Sequence, residues 1–375
     1  MTTPPTSVPD FDDLPKVKDM PQGCSWGLFD RDGKKDVLGT LNFLTPDILK
    51  TAAAEVKDGV SISLKYNPLF SPSIPYLSPL MTSTSWRLDG FRNIPLPGRP
   101  PPEHKILYLP DAETGHCPAI SWDDHLSFNT QCSSQWDSLC HYQHQPTGLA
   151  YNGFRPTKES LAAASASTST DAPTLEHWHQ HGGVVARAVL IDFKAYTEDK
   201  GIPFHAFDGS SITVDQLEAC AAHQGVEFRP GDVLIVRTGA TEILDNLSPQ
   251  QFEQMIQPDS GTGLSGLEGS EDMARWLWNK RFAAAAADNS SLEVYPPKKP
   301  DGTVGDTKDL GKLLSTTPLF LVSSSLAIPR NCSFSNTPQF SIPICLAASV
   351  CPSANCGISA GSPGTAVRRS DTHSC

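Results

Sequence analysis

The stretch Asn129–His144, NTQCSSQWDSLCHYQH, is the densest run of chemically useful side chains in the sequence. Asp137 and His141 stand four residues apart, so they can meet on a helix or converge across a turn. In either arrangement the carboxylate would orient the imidazole for proton transfer, since imidazole changes charge near neutral pH. Gln131 and Gln135 precede the pair with neutral amides, and Trp136 and Tyr142 stand beside it. From the residues alone two readings are open. One is an acid–base site; the other is a polar loop whose Asp–His contact does no chemistry.

Other motifs compete for attention and carry less. His177, His179 and His181 alternate in HWHQH and would share one face of a strand, where they could hold a metal. They precede Gly182-Gly183 without a supporting carboxylate, which favours a solvated surface patch. The string Gly261-Thr-Gly263-Leu-Ser-Gly266 satisfies G-x-G-x-x-G, but it follows Pro258-Asp259-Ser260 rather than a strand. A dinucleotide site needs that strand, so a flexible glycine loop is expected. The ten cysteines include no C-x-x-C pair, and no G-x-S-x-G elbow is present. Free thiols or small core residues are the expectation for all ten.

The elements that must position these groups follow from period and punctuation. Thr45 is an N-cap candidate with Pro46 at the first helical position, which predicts a helix over Asp47–Lys57 ending near Gly59. Val60–Leu64 alternates as a half-buried strand does, and the proline-dense residues 67–103 read as an extended loop. Val184–Phe193 (VVARAVLIDF) and Val233–Thr238 (VLIVRT) are continuous apolar runs suited to central strands. Between them Thr213 and Gln216 form a capping box that opens a helix with Leu217, Ala221 and Ala222 on its apolar stripe. Glu271–Lys280, with Trp276, reads as a helix and Phe282–Ala287 as a third strand. This alternation predicts α/β or α+β architecture.

Residues 1–22 read as a flexible lead-in. From Ser315 to Cys375 the only acidic residue is Asp371, and the strand-like pieces Pro318–Val322 and Phe340–Leu346 are expected to be isolated. That seam fits a low-complexity tail or a shifted reading frame.

A formal net charge of −12 argues against nucleic acid as a partner, because nothing neutralises a run of phosphates. No apolar run approaches the roughly 18 residues of a membrane span, and residues 1–20 have no apolar signal region. The expectation is a soluble cytoplasmic protein without nucleic-acid or membrane partners.

Taken together, Q-x-S-S-Q-W-D-x-L-x-H over residues 131–141 resembles the signature H-x-G-T-H-x-D-x-P-x-H of a cyclase family that includes bacterial kynurenine formamidase (arylformamidase) and isatin hydrolase. Trp26–Leu44, Leu149–Gly153, Gly182–Asp192, Gly231–Gly239 and Gly266–Asp288 resemble further blocks of the branch that uses Q-W-D. The resemblance covers roughly residues 20–314 and implies a swivelling β/β/α single domain, set at 23–314, usually in homo-oligomers. It also implies a divalent ion, zinc or manganese, whose bound hydroxide attacks an amide or lactam carbonyl. On that resemblance Asp137 matches the ligand carboxylate and His141 the last histidine, a proton shuttle or second-site ligand.

Gln131 and Gln135 stand where the family has two histidine ligands, and a glutamine amide is a weak donor that suits hard ions rather than zinc. A second departure lies downstream. Leu310–Leu314 lacks the histidine of the family's L-H-x-x-L-L block, and Ser323 replaces a glutamate. The implied function is hydrolysis of a formamide or cyclic amide C–N bond, by analogy N-formylkynurenine to kynurenine in tryptophan breakdown, with Trp136 and Tyr142 flanking an aromatic substrate and Gln131 and Gln135 helping to bind it. The alternatives are a non-catalytic small-molecule binder that has lost its metal, and a secondary-metabolite cyclase or dehydratase working by acid–base chemistry.

Overall fold

The computed structural model describes residues 8–60, 100, 103–108, 120–130, 136–166, 171–257, 260–298, 303–305, 320–322 and 342–346. Helix α1 (Pro46–Ala53) starts where Thr45 accepts a hydrogen bond from the Ile48 N–H, as its capping chemistry predicts. A two-stranded antiparallel ribbon follows, β1 (Glu103–Tyr108) with β2 (Trp122–Ser127). Beyond it come α2 (Lys158–Ala166), α3 (Leu175–Gln180), β3 (Val184–Asp192), α4 (Phe193–Lys200), β4 (Ser211–Ile212) and α5 (Val214–Gln224). The second half adds β5 (Val233–Arg237), α6 (Ala240–Asp245), α7 (Pro249–Met255), β6 (Gly266–Leu267), α8 (Glu271–Asn279) and β7 (Ala284–Ala287). Two short strands close the series, β8 (Phe320–Val322) and β9 (Ile342–Leu346).

The central sheet runs β8-β7-β5-β3-β9 among the described residues. Strands β3, β5, β7 and β8 are parallel neighbours, and β9 pairs antiparallel with β3. Strand side chains alternate between faces, and the core divides accordingly. Val189, Ile191, Leu234, Val236, Ala285 and Ala287 point into one cluster, which α5 and α8 cover with Leu217, Met273 and Leu277. Ala186, Ala188, Leu190, Val233, Ile235, Ala284 and Ala286 point into the other, against Leu41, Leu44 and Trp178. Burial on both faces is why these strands read as continuous apolar runs. The α/β single domain is thus built by a parallel core with helices between its strands, and Thr213–Gln216 closes its capping box ahead of α5.

The structure differs from several expectations. The N-terminal stretch is anchored from Val8 onward rather than flexible. Phe11 is fully buried, its N–H donates to Asn279 Oδ1 at 2.8 Å, and Trp278 Nε1 donates to the Pro9 carbonyl at 3.0 Å. Arg281 adds a charged clasp on Asp10 at 2.6 Å. Phe11 and Leu14 complete an aromatic cluster with Phe29, Phe43 and Trp278. Pro318–Val322 and Phe340–Leu346 are not isolated, because β8 and β9 add to opposite edges of the sheet, satisfying backbone groups that an open edge leaves unpaired.

The glycine string is not a flexible loop either. Gly263 bridges Asp208, Gly266 opens β6, and Leu264 exchanges backbone hydrogen bonds with Tyr295 at 2.6 and 2.8 Å. His177, His179 and His181 fall on α3 and its C-cap instead of a strand, so His179 points away from the other two, and His179 and His181 are exposed as a surface patch would be. Of the expected strand Val60–Leu64 all but Val60 lies outside the described residues, as do most of the proline-dense residues 67–103.

Candidate functional site

Residues 136–150 form a chain of turns laid over the Leu41–Trp178 face of the sheet. Trp136 and Leu139 pack onto that face, and the Trp136 ring meets Trp178 edge-on with centroids 6.1 Å apart. The His141 N–H donates to the Ser138 carbonyl at 2.9 Å, the His144 N–H to Leu149 at 2.9 Å and the Gly148 N–H to His144 at 2.8 Å. Cys140 is buried between these turns as a free thiol, and burial pushes it up to about 12, which rules it out as a neutral-pH nucleophile.

This scaffold realises the turn, one of the two arrangements open to the Asp137–His141 spacing. Asp137 Oδ1 and His141 Nε2 are 3.7 Å apart, a contact slightly too long for a hydrogen bond. The Asp137 side chain is 14 % exposed and that of His141 47 %, so the carboxylate backs an imidazole that reaches solvent. Tyr142 is exposed beside them, and burial followed by the charge of Glu293 pushes its phenol up.

Glu293 and Tyr295 are neighbours that motif reading missed. The extended segment Leu292–Tyr295 buries Leu292 and Val294 and turns Glu293 and Tyr295 to the other side, in period two. That alternation was the available signal. Backbone bonds pin the segment to β6: the Leu267 N–H donates to Leu292 O at 2.8 Å and the Val294 N–H to Leu267 O at 3.0 Å. Gly266 allows this approach, since a Cβ there would collide with the Leu292 carbonyl and come within 2.7 Å of the Glu293 carbonyl carbon. Burial first, then the negative charge of Asp137, push the Glu293 carboxyl up, against hydrogen bonds from its own backbone and Ser291.

Gln131 and Gln135, the expected substrate-binding glutamines, lie outside the described residues, as do Leu310–Leu314 and Ser323. Among the described residues no three His, Cys, Asp or Glu side chains converge as a metal site does. A catalytic zinc takes three protein ligands, whereas Asp137 and His141 offer two and the preceding signature positions carry only amides. The described donor set therefore does not fit a zinc ion.

No described helix is long and apolar enough to cross a membrane. A crystal structure described as a novel cyclase matches with a TM-score of 0.57 and 25% identity, over 79% of this chain and 83% of that one. Isatin hydrolase A from Ralstonia solanacearum matches with a TM-score of 0.40 and 16% identity, over 74% and 84% of the two chains. Isatin hydrolase A from Labrenzia aggregata, bound to benzyl benzoate, matches at 0.38 and 13%, over 62% and 74%. No curated protein matches the sequence. The family described as "Putative cyclase" matches residues 60–294, which carry Asp137, His141 and Glu293, and the chain belongs to that cyclase family.

Proposed function

We propose that the chain is an amide hydrolase of the arylformamidase type, cleaving the C–N bond of an aromatic formamide or cyclic amide. The observation that carries this reading is the Asp137–His141 contact at 3.7 Å, within the family signature and flanked in sequence by Trp136 and Tyr142. The half-exposed His141 imidazole takes a proton from water as that water attacks the carbonyl carbon. Asp137 holds the ring in place and stabilises the imidazolium that forms. Trp136, fixed against Trp178, and Tyr142 sandwich the aryl group, which suits N-formylkynurenine and its ring-substituted analogues.

The test is release of aromatic amine and carboxylic acid by the purified protein from a panel of N-formyl arylamines, N-formylkynurenine included. Asp137→Asn and His141→Ala should each lower kcat by about 10²–10⁴, the usual contribution of one acid–base group, with unchanged thermal melting. Turnover at the wild-type rate in both variants refutes the assignment. A protein that binds these amides without cleaving them is a binding module instead.

A further inference from the structure

We propose that a cavity between α6 and the loop leading into Phe207 binds a small α-amino acid with an apolar side chain. None of its lining residues belongs to the Asp137–His141 site, and the proposal holds whether or not the chain is a hydrolase. Strands β3 and β5 run parallel and end side by side at Asp192 and Arg237. Ligands of open α/β sheets settle outside the carboxyl ends of such strands. Arg237 clasps this end of the sheet, donating to Asp192 at 2.7 Å and to Glu242 of α6 at 2.7 Å. Beyond the clasp, Glu242 and Lys194, from the start of α4, both line a cavity of about 320 Å³. Small-molecule pockets begin at roughly 300 Å³, so the occupant is a small one.

The walls supply what each part of an amino acid needs. Glu242 and Asn246 stand four residues apart on α6 and its C-cap, and Ile243 and Leu247 repeat that spacing one residue on. The helix thus brings one polar and one apolar stripe to the cavity. Asn246 Nδ2 is committed to the Glu242 backbone carbonyl at 2.7 Å, which leaves the amide oxygen as the group's acceptor. That oxygen and the Glu242 carboxylate suit an ammonium group. Phe204 joins Ile243 and Leu247 in the lining, a cover for an apolar side chain. Donors for a carboxylate come from the other residues. His205 Nδ1 accepts from the Phe207 N–H at 3.2 Å, so the ring carries its proton on Nε2. The Lys194 stem crosses Gly239 so closely that a Cβ there would lie 2.9 Å from Lys194 Cγ. Its ammonium carries three N–H groups, one of them given to Glu198. A simple carboxylic acid would answer only Lys194 and His205, and a simple amine only Glu242 and Asn246.

The test is isothermal titration calorimetry on the full chain with L-leucine, L-phenylalanine, 3-phenylpropionate and 2-phenylethylamine, with melting curves for every variant. Leucine is included because it has no ring to offer Trp136 and Tyr142. Both amino acids should bind, and the two analogues should bind about 10–100-fold more weakly than phenylalanine, the worth of one charged hydrogen-bonding group. Lys194→Met should weaken the amino acids by a similar factor. Asn246→Lys sets an ammonium against that of the ligand and should weaken them at least as much. Asn246 is exposed at the end of a helix, so this variant keeps the comparison open if Lys194→Met does not fold. Absence of binding by both amino acids at millimolar concentration overturns the proposal. So does equal affinity for phenylalanine and either analogue, or leucine binding that is unchanged in Asn246→Lys.

Discussion

Asp288, at the carboxyl end of β7, is fully buried and holds the turn that follows β5. Its Oδ1 accepts from the Thr238 N–H at 2.6 Å and the Thr238 hydroxyl at 2.7 Å, and its Oδ2 from the Gly239 N–H at 2.9 Å. Replacing Asp288 with Ala strands these three donors in a dry site, at about 1–3 kcal/mol each. Burial pushes the carboxyl up, so relief of its desolvation returns part of that loss. A net destabilisation of about 3–4 kcal/mol follows. With about 2.1 cal/mol/K of unfolding entropy per residue over 375 residues, the melting temperature should fall by roughly 4–5 °C. Asp288→Asn retains one acceptor oxygen and should cost about half as much. Urea unfolding followed by tryptophan fluorescence gives both values. An Asp288→Ala curve within about 1 kcal/mol of wild type refutes the claim that these hydrogen bonds hold the strand ends together.

Other expectations follow from single sites. Burial pushes the Asp232 carboxyl up to about 6, although Arg187 Nη1 lies 3.4 Å away. A raised carboxyl contributes stability below its unfolded pKa and loses it as pH rises through about 6. Asp232→Asn should therefore flatten the urea midpoint against pH in that window. Gly266→Ala forces the new methyl against the Leu292–Glu293 backbone and should cost about 1–3 kcal/mol, read as a lowered urea midpoint. Restoring histidine at both Gln131 and Gln135 should raise zinc affinity, read as bound metal after dialysis, because imidazole is the better ligand.

Local signals transferred well from sequence to structure. The capping box at Thr213–Gln216 and the cap at Thr45, whose hydroxyl accepts from the Ile48 N–H, each join groups three residues apart, and both formed as expected. The runs beginning at Val184 and Val233 were legible because a strand buried on both faces needs no alternation. What failed was long-range. Gly263 reads as a hinge until Gly209 is placed under it, where its Cβ would come within 2.9 Å of the Gly209 Cα. Phe11 sits in a proline-rich segment, and only the tertiary fold supplies Asn279 and Trp278 to hold it. The site divided in the same way. The Asp137–His141 pair was visible from spacing, whereas the pairing of the Leu292–Tyr295 segment with β6 depends on residues far apart in the chain.

The anchored strap of residues 8–14 has a consequence for any shortened form of the chain. Met20 is an internal methionine that lies just past the strap formed by residues 8–14. A chain begun there would lack Phe11 and Leu14, leaving Trp278, Phe29 and Phe43 with one side of their cluster open to water. Losing a buried phenylalanine of this kind costs about 3–5 kcal/mol, a large share of the total stability of a folded domain. Residues 8–14 therefore separate a chain that can finish its core from one that displays an aromatic patch to its neighbours.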